Sequence, residues 1–198
     1  MKILIATSNP RKKEEIIAIL QAENNIRWEF ESLQKLPEPE EPYASFIENA
    51  CHKAKYYGKK FNIPALSEDT GLCVSALNQF PGVKTKDFID ENDSIENAIE
   101  ALQKKLQNTS DNTATFVCAA ALYIPALNIT LSYEAKEQGN LTFPARGSAG
   151  FGFDPIFVPQ GYKHTIAELG SNIKNHYGHR AMALKGLIKK ISRYSINT

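Results

Sequence analysis

The sequence predicts an α/β fold of the mixed α+β kind, a central mixed sheet with helices on its faces. Two observations carry this: helical periodicities alternate along the chain with short apolar, strand-like runs, and one long hairpin joins two strands in succession. A third, the length of 198 residues, suits a single domain over 1–198 with enough apolar surface for a substantial core.

Ile3 to Ala6 form a short buried-type strand, and Ser8-Asn9-Pro10 then supply cap residues and a proline suited to a first helical position, so a helix is expected from Pro10 to Leu20. Its first turn carries Arg11, Lys12 and Lys13. Cations there oppose the helix dipole unless an anion is bound. Residues 26–36 read as a strand and turn, and Pro37 to Pro42 as an acidic, proline-rich loop. Ser45 and Glu48 make a capping box for a helix with Phe46, Ala50, Ala54, Tyr57 and Phe61 on one face.

Ile63 to Val74 reads as strand, turn, strand, with Ser67-Glu68-Asp69-Thr70-Gly71 as the turn. Ser94 caps a helix with Ile95, Ile99, Leu102 and Leu106 inward. Thr113–Ile124 and Asn128–Lys136 form the hairpin, and the nearly continuous apolar run of its first member marks a central strand. A glycine-rich loop, Arg146 to Asp154, leads to a strand at Pro155–Val158, and an amphipathic helix spans Gly178–Ile191.

The balance of 23 Lys and Arg against 22 Asp and Glu gives no general attraction to nucleic acid or acidic membranes, so any anion site is local. Cys51, Cys73 and Cys118 are odd in number and form no CxxC pair, which argues against a disulfide framework or a thiolate zinc site and for a reducing compartment. Neither a signal-type apolar stretch nor an 18-residue apolar run is present, and the expectation is a soluble, cytoplasmic protein.

Five groups of residues offer chemistry. Thr7-Ser8-Asn9-Pro10-Arg11-Lys12 places hydroxyls, backbone N–H groups and cations at a helix entrance, a geometry that binds phosphate, though a capped surface helix explains the same residues. Glu68-Asp69 offers hard oxygen ligands for a divalent cation; alternation points the two carboxylates different ways, and an ordinary acidic turn is the plainer reading. Glu38, Glu40 and Glu41 offer a further ligand or a solvated loop. In Gly147 to Pro155 the glycines let a ligand approach the backbone, an exposed Phe153 can stack on a base and Asp154 can accept from base N–H groups, with a structural turn as the competitor. Lys174 to Arg180 gathers cations at another helix entrance, without the spacing of a zinc site. Together these describe a metal-nucleotide binding class.

Motifs over nearly the whole chain resemble the inosine triphosphate pyrophosphatase (dITP/XTP pyrophosphatase) family. Ala6-Thr7-Ser8-Asn9 with Lys12 and Glu15 resembles its opening phosphate motif, and Ser45 to Ala50 with Lys53-Ala54 its SFxENAxxKA helix. Pro64 to Leu72 is similar to PAxADDSGL, Phe80-Pro81-Gly82-Val83 to the turn after it, Gly150 to Phe157 to GFGYDPIF, and His179-Arg180 with Ala183-Leu184 to SHRxxAL. The resemblance implies an elongated mixed sheet with two lobes flanking a nucleotide groove, Mg²⁺ as cofactor, a homodimer, and hydrolysis of aberrant purine nucleoside triphosphates such as ITP, dITP and XTP to the monophosphate and pyrophosphate.

Carried over by position, the resemblance makes Asp69 the proton acceptor and a metal ligand, with Glu41 the second metal carboxylate. Thr7 to Lys12 (Thr7, Ser8, Asn9, Pro10, Arg11, Lys12), Thr70 and Lys174 would hold the phosphates. Phe151, Gly152, Phe153 and Asp154 with His179 and Arg180 would hold a 6-oxo purine. Departures are Glu68 for the first Asp of the pair, Pro42-Tyr43 after Glu41, Gly178 for the Ser before His179, and Lys84 to Phe88. Two competitors are a Maf-like pyrophosphatase of modified nucleotides, whose relatives lack the GFGFDP and His-Arg signatures, and a catalytically silent nucleotide binder.

Overall fold

The computed structural model describes residues 1–23, 26–31 and 39–196, with side chains through Arg193. Glu38 and most of the strand and loop expected between 26 and 38 lie outside the described residues. Strands β1 (Lys2–Ile5), β2 (Glu29–Glu31), β3 (Ala65–Val74), β4 (Phe80–Pro81), β5 (Thr113–Ile124), β6 (Ile129–Leu141) and β7 (Phe157–Pro159) form one mixed sheet in the order β2-β1-β3-β5-β6-β7, with β4 pairing β3. β1 runs parallel to β2 and β3, whereas β4 is antiparallel to β3 and β7 to β6. The continuous apolar run of β5 therefore sits inside the sheet, where both of its faces are covered.

Helices are α1 (Pro10–Ala22), α2 (Phe46–Phe61), α3 (Thr85–Asp90), α4 (Ile95–Leu106), α5 (Ile166–Tyr177) and α6 (His179–Ile196). Local chemistry explains several of these starts: Ser45 accepts from Glu48 N, Ser94 from Asn97 N, and Thr165 with Glu168 forms a reciprocal capping box. Among the described residues no helix is long and apolar enough to cross a membrane, and none of the three cysteines forms a disulfide.

The chain divides into two compact units. The first comprises 1–69, 118–135 and 180–198; the second comprises 70–117 and 136–179. In the first, Ile3, Ile5, Leu66, Cys118, Ala120 and Leu122 from the strands pack with Ile16, Ile19 and Leu20 of α1 and Leu184, Leu187, Ile188 and Ile191 of α6. Leu4, Ala6 and Ala65 pack separately with Tyr57 of α2. The period of two along β1 and β3 explains the sorting, since alternate side chains leave a strand on opposite faces. In the second unit Leu102 and Leu106 of α4 pack with Leu72, Val74, Phe88, Phe116, Phe153 and Phe157.

The turn expected at Ser67–Gly71 does not form. β3 is continuous from Ala65 to Val74 and buried along nearly its whole length. Its polar residues are tolerated because side chains distant in sequence satisfy them, a condition that local turn chemistry does not reveal. Beyond this, β6 runs five residues past the expected Lys136, and α3 and α5 were not read from the pattern.

Candidate active site

In the first unit the alternation of β3 separates the two carboxylates. Glu68, 1% exposed at its side chain, takes Lys12 Nζ on Oε1 at 2.8 Å and Arg180 Nη2 on Oε2 at 3.3 Å, and Cys118 Sγ donates to the same Oε2 at 3.5 Å. Arg180 also donates through Nη1 to Glu15. Glu68 thus joins the first turn of α1 to the start of α6.

Asp69 leaves the other face toward α2, with Ser67 beside it, whose hydroxyl donates to Ala50 O at 2.6 Å. Asn49 Nδ2 donates to Asp69 Oδ2 at 3.2 Å, and Lys53 Nζ lies 3.5 Å from Asp69 Oδ1 and 2.9 Å from Glu41 Oε1. Asn49 also exchanges two hydrogen bonds of 3.0 Å with the Tyr43 backbone, which ties the segment carrying Glu41 to α2.

One ammonium therefore serves two carboxylates. Burial pushes the Asp69 carboxyl up to about 6; Lys53 opposes this, while Glu41 and Glu68 add to it. The Lys53 ammonium is itself raised: burial disfavours its charge, but Asp69, Glu41 and Glu68 outweigh that cost. A buried carboxylate that ionises near neutral pH and can still take up a proton has the properties of a general base.

The helix entrance differs in detail from its expected form. Pro10 has no N–H, Asn9 Oδ1 accepts from Arg11 N at 3.0 Å and Lys12 N at 3.2 Å, and Lys13 N bonds Asn9 O at 3.0 Å. The first-turn amides are thus used by the cap itself. The groups here with chemistry for an anion are the hydroxyls of the exposed Ser8 and half-buried Thr7 and the cations of Arg11 and Lys12. Thr7 also orders the turn, accepting from Asn9 N at 3.2 Å. The dipole cost of Lys12 in a first turn without acidic residues is offset by Glu68.

Glu41 and Asp69 fit a divalent metal by their chemistry. Among the described residues no three His, Cys, Asp or Glu side chains gather closely enough to hold an ion alone. Magnesium does not require such a cage, because it is commonly held by one or two carboxylates completed by water and substrate phosphates.

In the second unit, Gly150 takes a positive φ of 79°, and a Cβ there would lie 2.1 Å from Asp154 Oδ2. The absent side chain is what lets the loop close on that carboxylate. Asp154, 2% exposed, accepts from Phe151 N at 2.8 Å and from Lys174 Nζ at 2.7 Å. The Lys174 ammonium lies 4.1 Å from the centre of the Phe151 ring. Lys174, expected among phosphate ligands, lies in the last turn of α5 and contacts this loop through Asp154 and Phe151. Phe151 and Gly152 are half-buried, and so is Thr70 on β3.

Phe153 corrects the expectation of an exposed stacking ring. It is 2% exposed and stacks on Phe88, with centroids 6.4 Å apart, inside the core around α4. Two residues apart on an irregular loop, Phe151 and Phe153 do not share an environment, and the pattern gives no way to choose between them.

His179 and Arg180, expected to act together, take different partners. Arg180 belongs to the first unit's carboxylates, whereas His179 stacks on Phe116 at 4.5 Å and meets Glu137 through both its backbone N and its ring Nδ1. Consecutive residues in the first turn of a helix point about 100° apart, which accounts for the divergence. Glu15, Asn49 and Lys53 stood in motifs without an assigned role, and Glu137 stood in none. Lys53 and Asn49 lay in view in a helix motif, four residues apart on one face with Asp69.

The Ham1 family profile matches residues 3–190. A dITP/XTP pyrophosphatase of Aquifex aeolicus is 38% identical over 197 residues, covering 95% of each chain. One from Rhodospirillum centenum is 38% identical over 193 residues, covering 95% of this chain and 93% of its own. Among solved structures, a HAM1 protein from Coxiella burnetii superposes with a TM-score of 0.86 at 31% identity, covering 98% of this chain and 99% of its own. The Ham1 protein of Staphylococcus aureus gives 0.84 at 30%, covering 98% and 100%.

Proposed function

The chain belongs to the Ham1 family, and on that premise we propose that it hydrolyses aberrant purine nucleoside triphosphates, ITP, dITP and XTP, to the nucleoside monophosphate and pyrophosphate. The observation that carries the chemistry is the buried Asp69, raised to about 6 and held between Asn49 and Lys53. Its ionised carboxylate takes the proton of the attacking water. Asn49 fixes one carboxylate oxygen, so the other is directed at a defined point.

Phosphate binding falls to Thr7, Ser8, Arg11 and Lys12, with Thr70, while Asn9 and Pro10 shape the turn; Lys12 brings a positive charge to the oxygens that gain charge as the anhydride breaks. Glu41 and Asp69 would hold Mg²⁺, which when bound neutralises triphosphate charge and polarises the reacting phosphoryl group. On the base, Phe151 offers a ring face, Gly152 close backbone approach, and Asp154 and Lys174 a rigid support; His179 completes the recognition of the 6-oxo edge. In this reading residues 1–198 act as one domain, and the protein is a cytoplasmic homodimer without nucleic-acid or membrane partners.

Product analysis of ITP turnover tests the bond cleaved. IMP and pyrophosphate in equal amounts support the proposal; IDP and inorganic phosphate contradict it. Sedimentation tests the dimer.

A further inference from the structure

We propose that Glu137 is a positioning residue for base selection: it keeps a hydrogen on Nδ1 of His179, so that Nε2 is the ring nitrogen presented to the purine. The inference rests on the reading that His179 meets the base, and it concerns a residue outside every motif noted in the sequence. Glu137 Oε2 lies 2.9 Å from His179 N and 3.0 Å from His179 Nδ1. The side chains are 11% and 3% exposed, so little water competes for these bonds.

A carboxylate only accepts hydrogen bonds, so a ring nitrogen held by it carries the hydrogen, in the neutral ring and the imidazolium alike. The competing tautomer, with its hydrogen on Nε2 and a bare Nδ1, would set a lone pair against that carboxylate. Phe116 fixes what remains, its ring lying 4.5 Å from the imidazole and inclined by 21°. Both the plane of the imidazole and its proton pattern are therefore held by residues of β5 and β6, not by its own helix.

This pattern matters because 6-oxo and 6-amino purines present opposite hydrogen-bonding edges: an N1–H donor beside a carbonyl in one, a bare N1 beside an amino group in the other. A histidine free to exchange tautomers answers either edge. With Nδ1 pinned, the neutral ring faces N1 with a bare Nε2, which accepts from the N1–H of a 6-oxo purine and meets a second lone pair at the N1 of a 6-amino purine. Glu137 also caps α6, whose first turn has no acidic residue of its own, and the test must separate that structural duty from the proposed one.

The nitrogen-15 spectrum of the histidine rings, assigned by comparison with His179→Ala, reads the tautomer in the unaltered protein. A protonated Nδ1 on His179 is expected; a bare Nδ1 with the hydrogen on Nε2 overturns the proposal with no variant needed. In Glu137→Gln the tautomer mixture should shift, the KM for ITP should rise about tenfold, the scale of one charged hydrogen bond, with kcat little changed, and the ITP to ATP ratio of kcat/KM should fall. Glu137→Asp should recover part of that ratio. If His179→Ala is impaired while Glu137→Gln keeps the wild-type KM and ratio, the positioning role fails alone. If His179→Ala binds and discriminates like wild type, the reading of His179 as a base contact fails and takes this proposal with it.

Discussion

Two buried aspartates, each facing a lysine, have been set to different tasks. Asp154 has its own ammonium at 2.7 Å and an amide at 2.8 Å; Asp69 shares Lys53, 3.5 Å away, with Glu41, which stands closer to it at 2.9 Å. Full compensation makes the first a strut inside the second unit. Burial raises the second to about 6, and the Lys53 it shares opposes that only in part, so this carboxyl can exchange a proton near neutral pH. Both carboxylates are buried; one has an ammonium to itself and the other shares one.

The largest test of that contrast is Asp69→Asn. Loss of a general base should lower kcat by about 10³-fold or more, measured by pyrophosphate release. Stability should move the other way. Because the folded Asp69 is raised to about 6 from 3.8, its contribution is present below about pH 4 and is lost as pH rises through 6. Metal-free Asp69→Asn should therefore melt no lower than wild type at pH 7.5, and a lower Tm would break the comparison.

Next is the strut. Lys174→Met leaves Asp154 buried without its cation and should cost about 3–5 kcal/mol in urea unfolding. A change below about 1 kcal/mol would mean that the pair is not structural. The aromatic neighbours sharpen the same distinction: Phe153→Ala should destabilise by about 3–5 kcal/mol as a core truncation, whereas Phe151→Ala should spare stability and raise the KM for ITP.

The smallest effect is a displaced titration. Lys53 is the main influence holding the Asp69 carboxyl down against burial, so Lys53→Met should move the acid limb of kcat upward by roughly one pH unit. An unmoved limb would show that Asp69 is not the group titrating in that profile.

Much of this was legible from residue order. The caps at Asn9, Ser45 and Ser94 and the apolar stripes behind them located α1, α2 and α4, because those signals are local. The unbroken apolar run of Thr113–Ile124 marked the central strand. Ser67 to Gly71 misled because its composition is that of a turn, and only Lys12, Asn49, Lys53 and Arg180, brought in by folding, make it affordable as a buried strand. α5 escaped notice because Gly170, at φ 84°, interrupts its helical period. Glu137 looked like one more polar residue of an alternating strand, and nothing local ties it to His179, forty-two positions later.

The most direct measurement of the central claim is pyrophosphate release from ITP, XTP, GTP and ATP, each with Mg²⁺ and with EDTA. The account predicts Mg²⁺-dependent release from ITP and XTP far exceeding that from GTP and ATP. Tight ITP binding without release would identify a silent nucleotide binder instead, and preferential release from another nucleotide would contradict the assigned specificity.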